Sequence, residues 1–160
     1  MKYFGLCLAV LLLGCSGGGE EISSFSEWQT YANQEHGFSV RYPAGTRLIE
    51  EGGTYIRLQN YEADDIPSLE PGQFYLEVHV PQTPEREGFD SCKESVVEAR
   101  EVKVGGFTAY RGYGEGGGDP GGERFMLCID GGEKYFSVIA TENHEEGPIA
   151  NAILDSFTLR

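Results

Sequence analysis

The chain has 160 residues and carries 26 acidic against 12 basic side chains, a formal net charge of −14. That length suits one domain able to bury roughly two-thirds of its unfolded surface. Phosphate binding and docking on anionic lipid both need clustered Lys and Arg, so the charge argues against nucleic acid and against an acidic membrane surface as partners. The acidity keeps the domain soluble; a sharper reading is recruitment of divalent cations or of a basic partner.

The chain opens on Lys2, an apolar run from Tyr3 to Leu13, then Gly14 and Cys15. This is the pattern of a short signal peptide. The run falls short of the roughly 20 apolar residues that span a bilayer. Its ending, Leu12-Leu13-Gly14-Cys15, resembles the lipobox of bacterial lipoproteins. The resemblance implies a leader over 1–14, lipidation at Cys15 and a lipidated flexible tether over 15–25, rich in Gly and Ser. It also implies residence at the cell membrane. Ser16 after the cysteine favours the outer membrane in a Gram-negative cell, with the domain facing the periplasm or the cell exterior. Two or more acyl chains hold such a protein stably, where one does so only marginally.

Residues 26–160 then read as one domain. Trp28 and Tyr31, spaced i, i+3, suggest a short turn packed on the core. Phe38–Tyr42, Arg47–Glu50 and Thr54–Gln59 read as short strands separated by Gly and Pro. Tyr61–Gly72 is a loop with Glu62, Asp64, Asp65 and Glu70. Gln73–Val80 alternates most cleanly: Phe74, Leu76, Val78 and Val80 share one face, and Tyr75, Glu77 and His79 the other.

Asp90–Glu94 reads as a helix start, because Ser91 and Glu94 have capping-box spacing. Cys92, Val96 and Ala99 would then line one helical face. Glu101–Val104 and Phe107–Arg111 are strands around Gly105-Gly106, and Gly112–Gly122 reads as a glycine-rich loop. Asp130-Gly131 marks a hairpin between Arg124–Ile129 and Lys134–Ile139. Pro148 opens a last helix, with Glu145 and Glu146 complementing its N-terminal dipole. Thr158-Leu159 returns to a sheet edge. The sum is an α+β fold: an antiparallel sheet of about six to seven strands with helices packed on it.

Of four cysteines, Cys7 lies in the leader and Cys15 at the lipobox. Cys92 and Cys128, 36 residues apart, remain as an even pair in an exported protein. A disulfide is the default for such a pair; two buried free thiols are the alternative.

The opening of the domain, Trp28-x-x-Tyr31-x-Asn33-x-Glu35-x-Gly37-Phe38-Ser39-Val40-Arg41-Tyr42-Pro43, resembles the start of PsbP-like domains. Val104-Gly105-Gly106-Phe107-x-Ala109-Tyr110 and Ala150-x-x-Ile153-Leu154-x-Ser156-Phe157 are similar to later segments of that family. The resemblance implies an α/β/α sandwich. It also implies a module that binds or assists a larger assembly without chemistry of its own. It carries over no functional residue, because the matching positions are core and turn residues.

Gly112-x-Gly114-x-x-Gly117 formally matches a dinucleotide fingerprint, but Pro120 and further glycines follow where the required helix would begin. His36, His79 and His144 are scattered, with no zinc-ligand spacing. Glu77 and His79 with Tyr75 form the one strand face where a polar constellation can hide. The Glu62–Asp65 loop lacks the EF-hand spacing and glycine. No Ser, His and Asp set suggests a nucleophile. The expectation is therefore a non-catalytic, membrane-anchored binding or assembly module of the bacterial cell envelope, not an enzyme. It has no cofactor, no metal site and a protein partner of unknown identity. Tyr55, Tyr75, Tyr110 and Tyr113 are candidates for its contact patch. The alternative is a lipoprotein that binds a small ligand or a divalent cation.

Overall fold

The structure is a computed structural model that describes residues 27–62, 68–80, 86–114, 122–143 and 147–160. The leader, Cys15 and the tether lie outside the described residues, as do Asp64, Asp65, His144, Glu145 and Glu146.

Ten strands and two helices follow one another. They are β1 (Trp28–Asn33), β2 (Phe38–Pro43), β3 (Arg47–Glu51), β4 (Tyr55–Gln59), β5 (Phe74–His79), α1 (Arg86–Glu94), β6 (Val96–Val104), β7 (Phe107–Gly114), β8 (Glu123–Asp130), β9 (Tyr135–Glu142), α2 (Pro148–Asp155) and β10 (Thr158–Leu159). Seven strands form a sheet ordered β3-β4-β5-β9-β8-β7-β6, and β1-β2-β10 form a smaller one. Every pairing is antiparallel.

Period-two alternation divides the large sheet into two faces. On the first, Leu58, Leu76, Val78, Leu127 and Val138 meet Ile153 and Leu154 of α2 and Phe38 and Val40 of the small sheet in the main core. On the second, Met126 and Cys128 of β8 meet Phe89 and Cys92 of α1. A helix therefore covers each face, giving the expected α+β sandwich.

Three expectations are corrected. Trp28 and Tyr31 belong to strand β1, which pairs with β2 along its whole length. Helix α1 starts at Arg86, so Ser91 lies inside it and caps nothing at its start. The helix ends at Glu94, and the Oγ of the next residue, Ser95, donates to the Cys92 carbonyl at 2.7 Å. Val96 and Ala99 then fall in strand β6, where β-branched residues and the ladder to β7 override the helical spacing.

The third correction concerns the glycine-rich loop, because β7 runs on through Gly112 and Gly114. A β-bulge between Val97 and Arg100 puts Glu98 at φ 53° and presses β6 onto its neighbour. A Cβ on Gly112 would stand 2.3 Å from the Val97 carbonyl oxygen, so glycine is required there by close approach.

Candidate functional site

The half of face two away from α1 is largely polar. Helix α1 lies over β6, β8 and β9, while β4 and β5 present Tyr55, Arg57, Gln59, Tyr75, Glu77 and His79. Cross-strand register sets Tyr55 opposite His79, Arg57 opposite Glu77 and Gln59 opposite Tyr75. Tyr61 and Leu69, from the connection after β4, close over Tyr75, which is wholly buried.

The polar groups bond to one another and to the connection after β4. The Tyr55 hydroxyl donates to Glu77 Oε1 at 2.6 Å. Glu77 Oε2 lies 3.6 Å from His79 Nε2. Arg57 Nη2 donates to the Tyr61 hydroxyl at 2.8 Å, and Gln59 Nε2 to the Tyr61 carbonyl at 2.8 Å. The guanidinium also stands 5.6 Å from the Tyr75 ring centroid.

Burial raises the pKa of the Glu77 carboxyl, but hydrogen bonding to His79 and Tyr55 outweighs it and leaves the carboxyl below its usual range. Burial and the same carboxylate push the Tyr55 phenol up. Glu77 is thus an ionised brace between two strands. The imidazole of His79, 44% exposed, is the part of the cluster that reaches solvent. The sequence alternation marks Tyr75, Glu77 and His79; Arg57, Gln59 and Tyr61 join them through strand register and loop closure. Thr54–Gln59 carried a signal in its own alternation, with Tyr55, Arg57 and Gln59 on one face.

A second feature lies at the margin of face one. A cleft of about 260 Å³ opens there between β6, β7 and α2. Its walls include Glu98, Arg100, Arg111, Tyr113, Phe125 and Asn151. Arg111 is clamped by Asp155 and by Asn151, whose Oδ1 accepts at 2.7 Å. Beside the cleft, Val97 and Tyr113 face each other across β6 and β7, 44% and 42% exposed. Leu48 is the other large apolar side chain exposed among the described residues.

The four candidate tyrosines do not gather into one patch. Tyr75 is buried, and Tyr110 lies under α1, with Lys93 Nζ 4.3 Å from its ring centroid and Phe89 at 6.1 Å. Tyr55 is half-buried on the same face, and Tyr113 alone is exposed, on the opposite face. Cys92 and Cys128 are disulfide-bonded, with Cα atoms 5.9 Å apart, and the bond ties α1 to β8. His36 lies near Lys134. Glu62 is exposed. Among the described residues no group of three His, Cys, Asp or Glu has metal-binding geometry. Gly112 and Gly114 sit inside a strand, not at a strand-to-helix turn.

These features stand on a PsbP-like fold, an antiparallel sheet sandwiched by helices. The chain is similar to the solution structure of cyanobacterial PsbP (CyanoP) from Synechocystis, with a TM-score of 0.57 and 14% identity over 92% of this chain and 99% of that one. It is also similar to a protein of Bacteroides thetaiotaomicron, with a TM-score of 0.53 and 14% identity over 84% of this chain. The chain spans 49% of the length of that second protein. At such identity the likeness establishes the fold alone. No family model and no curated protein matches the sequence.

Proposed function

We propose that this chain is a lipid-anchored, non-catalytic binding or assembly module of the bacterial cell envelope. The observation that carries the reading is the exposed Val97–Tyr113 pair beside the Arg100–Arg111 cleft. Apolar side chains at the centre of a polar rim are the usual anchors of a protein contact. The occupant is a protein segment that presents an apolar side chain to that pair and a carboxylate to the exposed Arg100.

Two further observations support the reading. Tyr55, Glu77 and Arg57 are held by one another, which suits a braced surface better than a poised acid–base pair. The Leu12-Leu13-Gly14-Cys15 stretch supplies the anchor, at the inner or outer membrane. No helix of the described residues is long and apolar enough to cross a membrane.

The test is photo-crosslinking in intact cells, with the reactive residue placed at 97 or 113 of the full-length protein. One dominant envelope protein, lost on Arg100→Glu, is expected. Labelling no stronger than from a control at exposed Glu133 would remove the reading. Cys15→Ser is expected to abolish incorporation of a labelled fatty acid; persistent labelling would overturn the anchor.

A further inference from the structure

A different cleft carries the opposite charge from the chain as a whole. It encloses about 260 Å³ where four segments meet: the turn after β1, the start of β7, the hairpin between β8 and β9, and the residues after α2. Phe136 and Leu159, both buried, and Phe107 form an apolar floor. His36, Lys134 and Arg160 form a basic rim, with Glu133 the one acidic side chain among the lining residues. In a chain with 26 acidic against 12 basic residues, two cationic side chains against one acidic at a single cleft is a local reversal of charge.

The frame is fixed. Asn33 Oδ1 accepts the His36 N–H at 2.9 Å, and the Asn33 carbonyl accepts the Gly37 N–H at 2.9 Å. The Gly37 carbonyl accepts the Arg160 N–H at 2.8 Å. In the hairpin, Gly131 N–H donates to the Lys134 carbonyl at 2.9 Å. Phe136 packs edge-on against Phe38 at 5.8 Å, which steadies the floor.

Two details of the rim point to an anion. Lys134 Nζ lies 3.3 Å from His36 Nδ1. An ammonium donates to that nitrogen only while the imidazole is neutral; two positive charges at that spacing repel. With Nδ1 accepting, the ring proton sits on Nε2, which is shielded from solvent and has no hydrogen-bond partner among the described residues. A carboxylate in the cleft supplies an acceptor for that N–H and a counter-charge for the ammonium.

We infer that this cleft binds a small organic carboxylate with a short apolar or aromatic body. The carboxylate meets Lys134 and Arg160, and the body lies on Phe107, Phe136 and Leu159. The volume is near the lower end for ligand pockets, which limits the body to about one ring.

The test is a ¹H–¹⁵N NMR titration of the full-length protein in a neutral detergent, with phenylacetate as probe. Saturable shifts confined to the amides of Gly37, Gly131, Lys134 and Arg160 are expected. Phenylacetamide, which lacks the charge, and acetate, which lacks the body, are expected to bind about tenfold more weakly or not at all. Lys134→Gln and Arg160→Gln, both at exposed positions, are expected to weaken phenylacetate about fivefold each with the remaining spectrum unchanged. No saturation, shifts centred elsewhere, or equal binding of the amide overturns the inference.

Discussion

Leu48 and Val97 end the same cross-strand row. The register runs Leu48, Leu58, Leu76, Ala140, Phe125, Tyr113, Val97, one residue from each strand of the large sheet. The inner residues from Leu58 to Phe125 are at most 5% exposed, while Leu48, Tyr113 and Val97 stand at 39%, 42% and 44%. The covering layer of α2 and the small sheet is narrower than the sheet beneath it, so one apolar row runs out from under its cover at both margins. The margins differ. Leu48 sits alone among exposed Arg47, Glu50 and Glu51, whereas Val97 and Tyr113 form a pair beside a cleft.

This asymmetry sets the first prediction. Val97→Asp and Tyr113→Ser replace exposed side chains, so each is expected to change folding stability by no more than about 1 kcal/mol. Each is expected to lose capture of the envelope partner. Leu48→Asp, equally exposed on the far margin, is expected to leave capture intact. Paired urea titrations and in-cell crosslinking measure the two effects. Equal loss of capture in all three variants would show that the β6 margin has no special role.

The second prediction concerns acid. The folded-state pKa of Glu77 is depressed, so its contribution to stability is present above the ordinary carboxylate range. It is lost as pH falls through the depressed value. Glu77→Gln removes this linkage. The wild type is therefore expected to lose stability more steeply than the variant below about pH 4.5, the ordinary carboxylate value. Thermal melts at a series of pH values decide it; parallel curves would mean that the Tyr55 and His79 contacts do not hold the charge in solution.

Much of the fold was legible because local patterning and tertiary demand agree. The alternation of Phe74, Leu76 and Val78 against Tyr75, Glu77 and His79 gives both faces of β5 correctly. Asp130-Gly131 marks the hairpin because Asp130 Oδ1 accepts the Gly132 N–H at 3.1 Å, a local bond. What stayed hidden depends on distance along the chain. Helix α1 is mostly polar, and its start is decided by Phe89 and Cys92 packing on Met126 and Cys128. Tyr110 carries no sign in its neighbours that Phe89 will lie over it. His36 and Lys134 are 98 residues apart, and only the meeting of two turns brings them together. The constellation around Glu77 was half visible, since Arg57 enters it through register.

The third prediction follows from the Cys92–Cys128 bond. Chain-entropy reasoning for a 36-residue separation gives about 3–4 kcal/mol of stabilisation. Paired Ser substitutions are expected to lower Tm by roughly ten degrees or more. Cys128 is wholly buried and Cys92 nearly so, so reductant alone is expected to open the bond slowly without denaturant. Because the bond ties α1 to β8, its loss is expected to speed hydrogen exchange in α1 more than in α2. Equal acceleration in both helices would show that packing, not the bond, holds α1.

The fourth prediction tests how α2 begins. The first amides of a helix have no intrahelical acceptor. Here the cap residue is Gly147, in left-handed geometry with no side chain to offer. The acceptor comes from a distance: Glu142, buried at the end of β9, takes the Ala150 N–H at 2.8 Å. Glu142→Ala is expected to cost about 1–3 kcal/mol by stranding that donor, and Glu142→Gln less, because an amide oxygen still accepts. Gly147→Ala is expected to cost more than either. It pays the left-handed penalty of about 1–2 kcal/mol, and its Cβ would stand 2.1 Å from a carbon of the Phe125 ring. Phe125 lies in the main core and in the apolar row that ends at Val97, so it cannot swing aside without opening both. Urea midpoints of the three variants give the order directly. If Glu142→Gln proves as damaging as Glu142→Ala, the negative charge, not the acceptor alone, is what starts the helix.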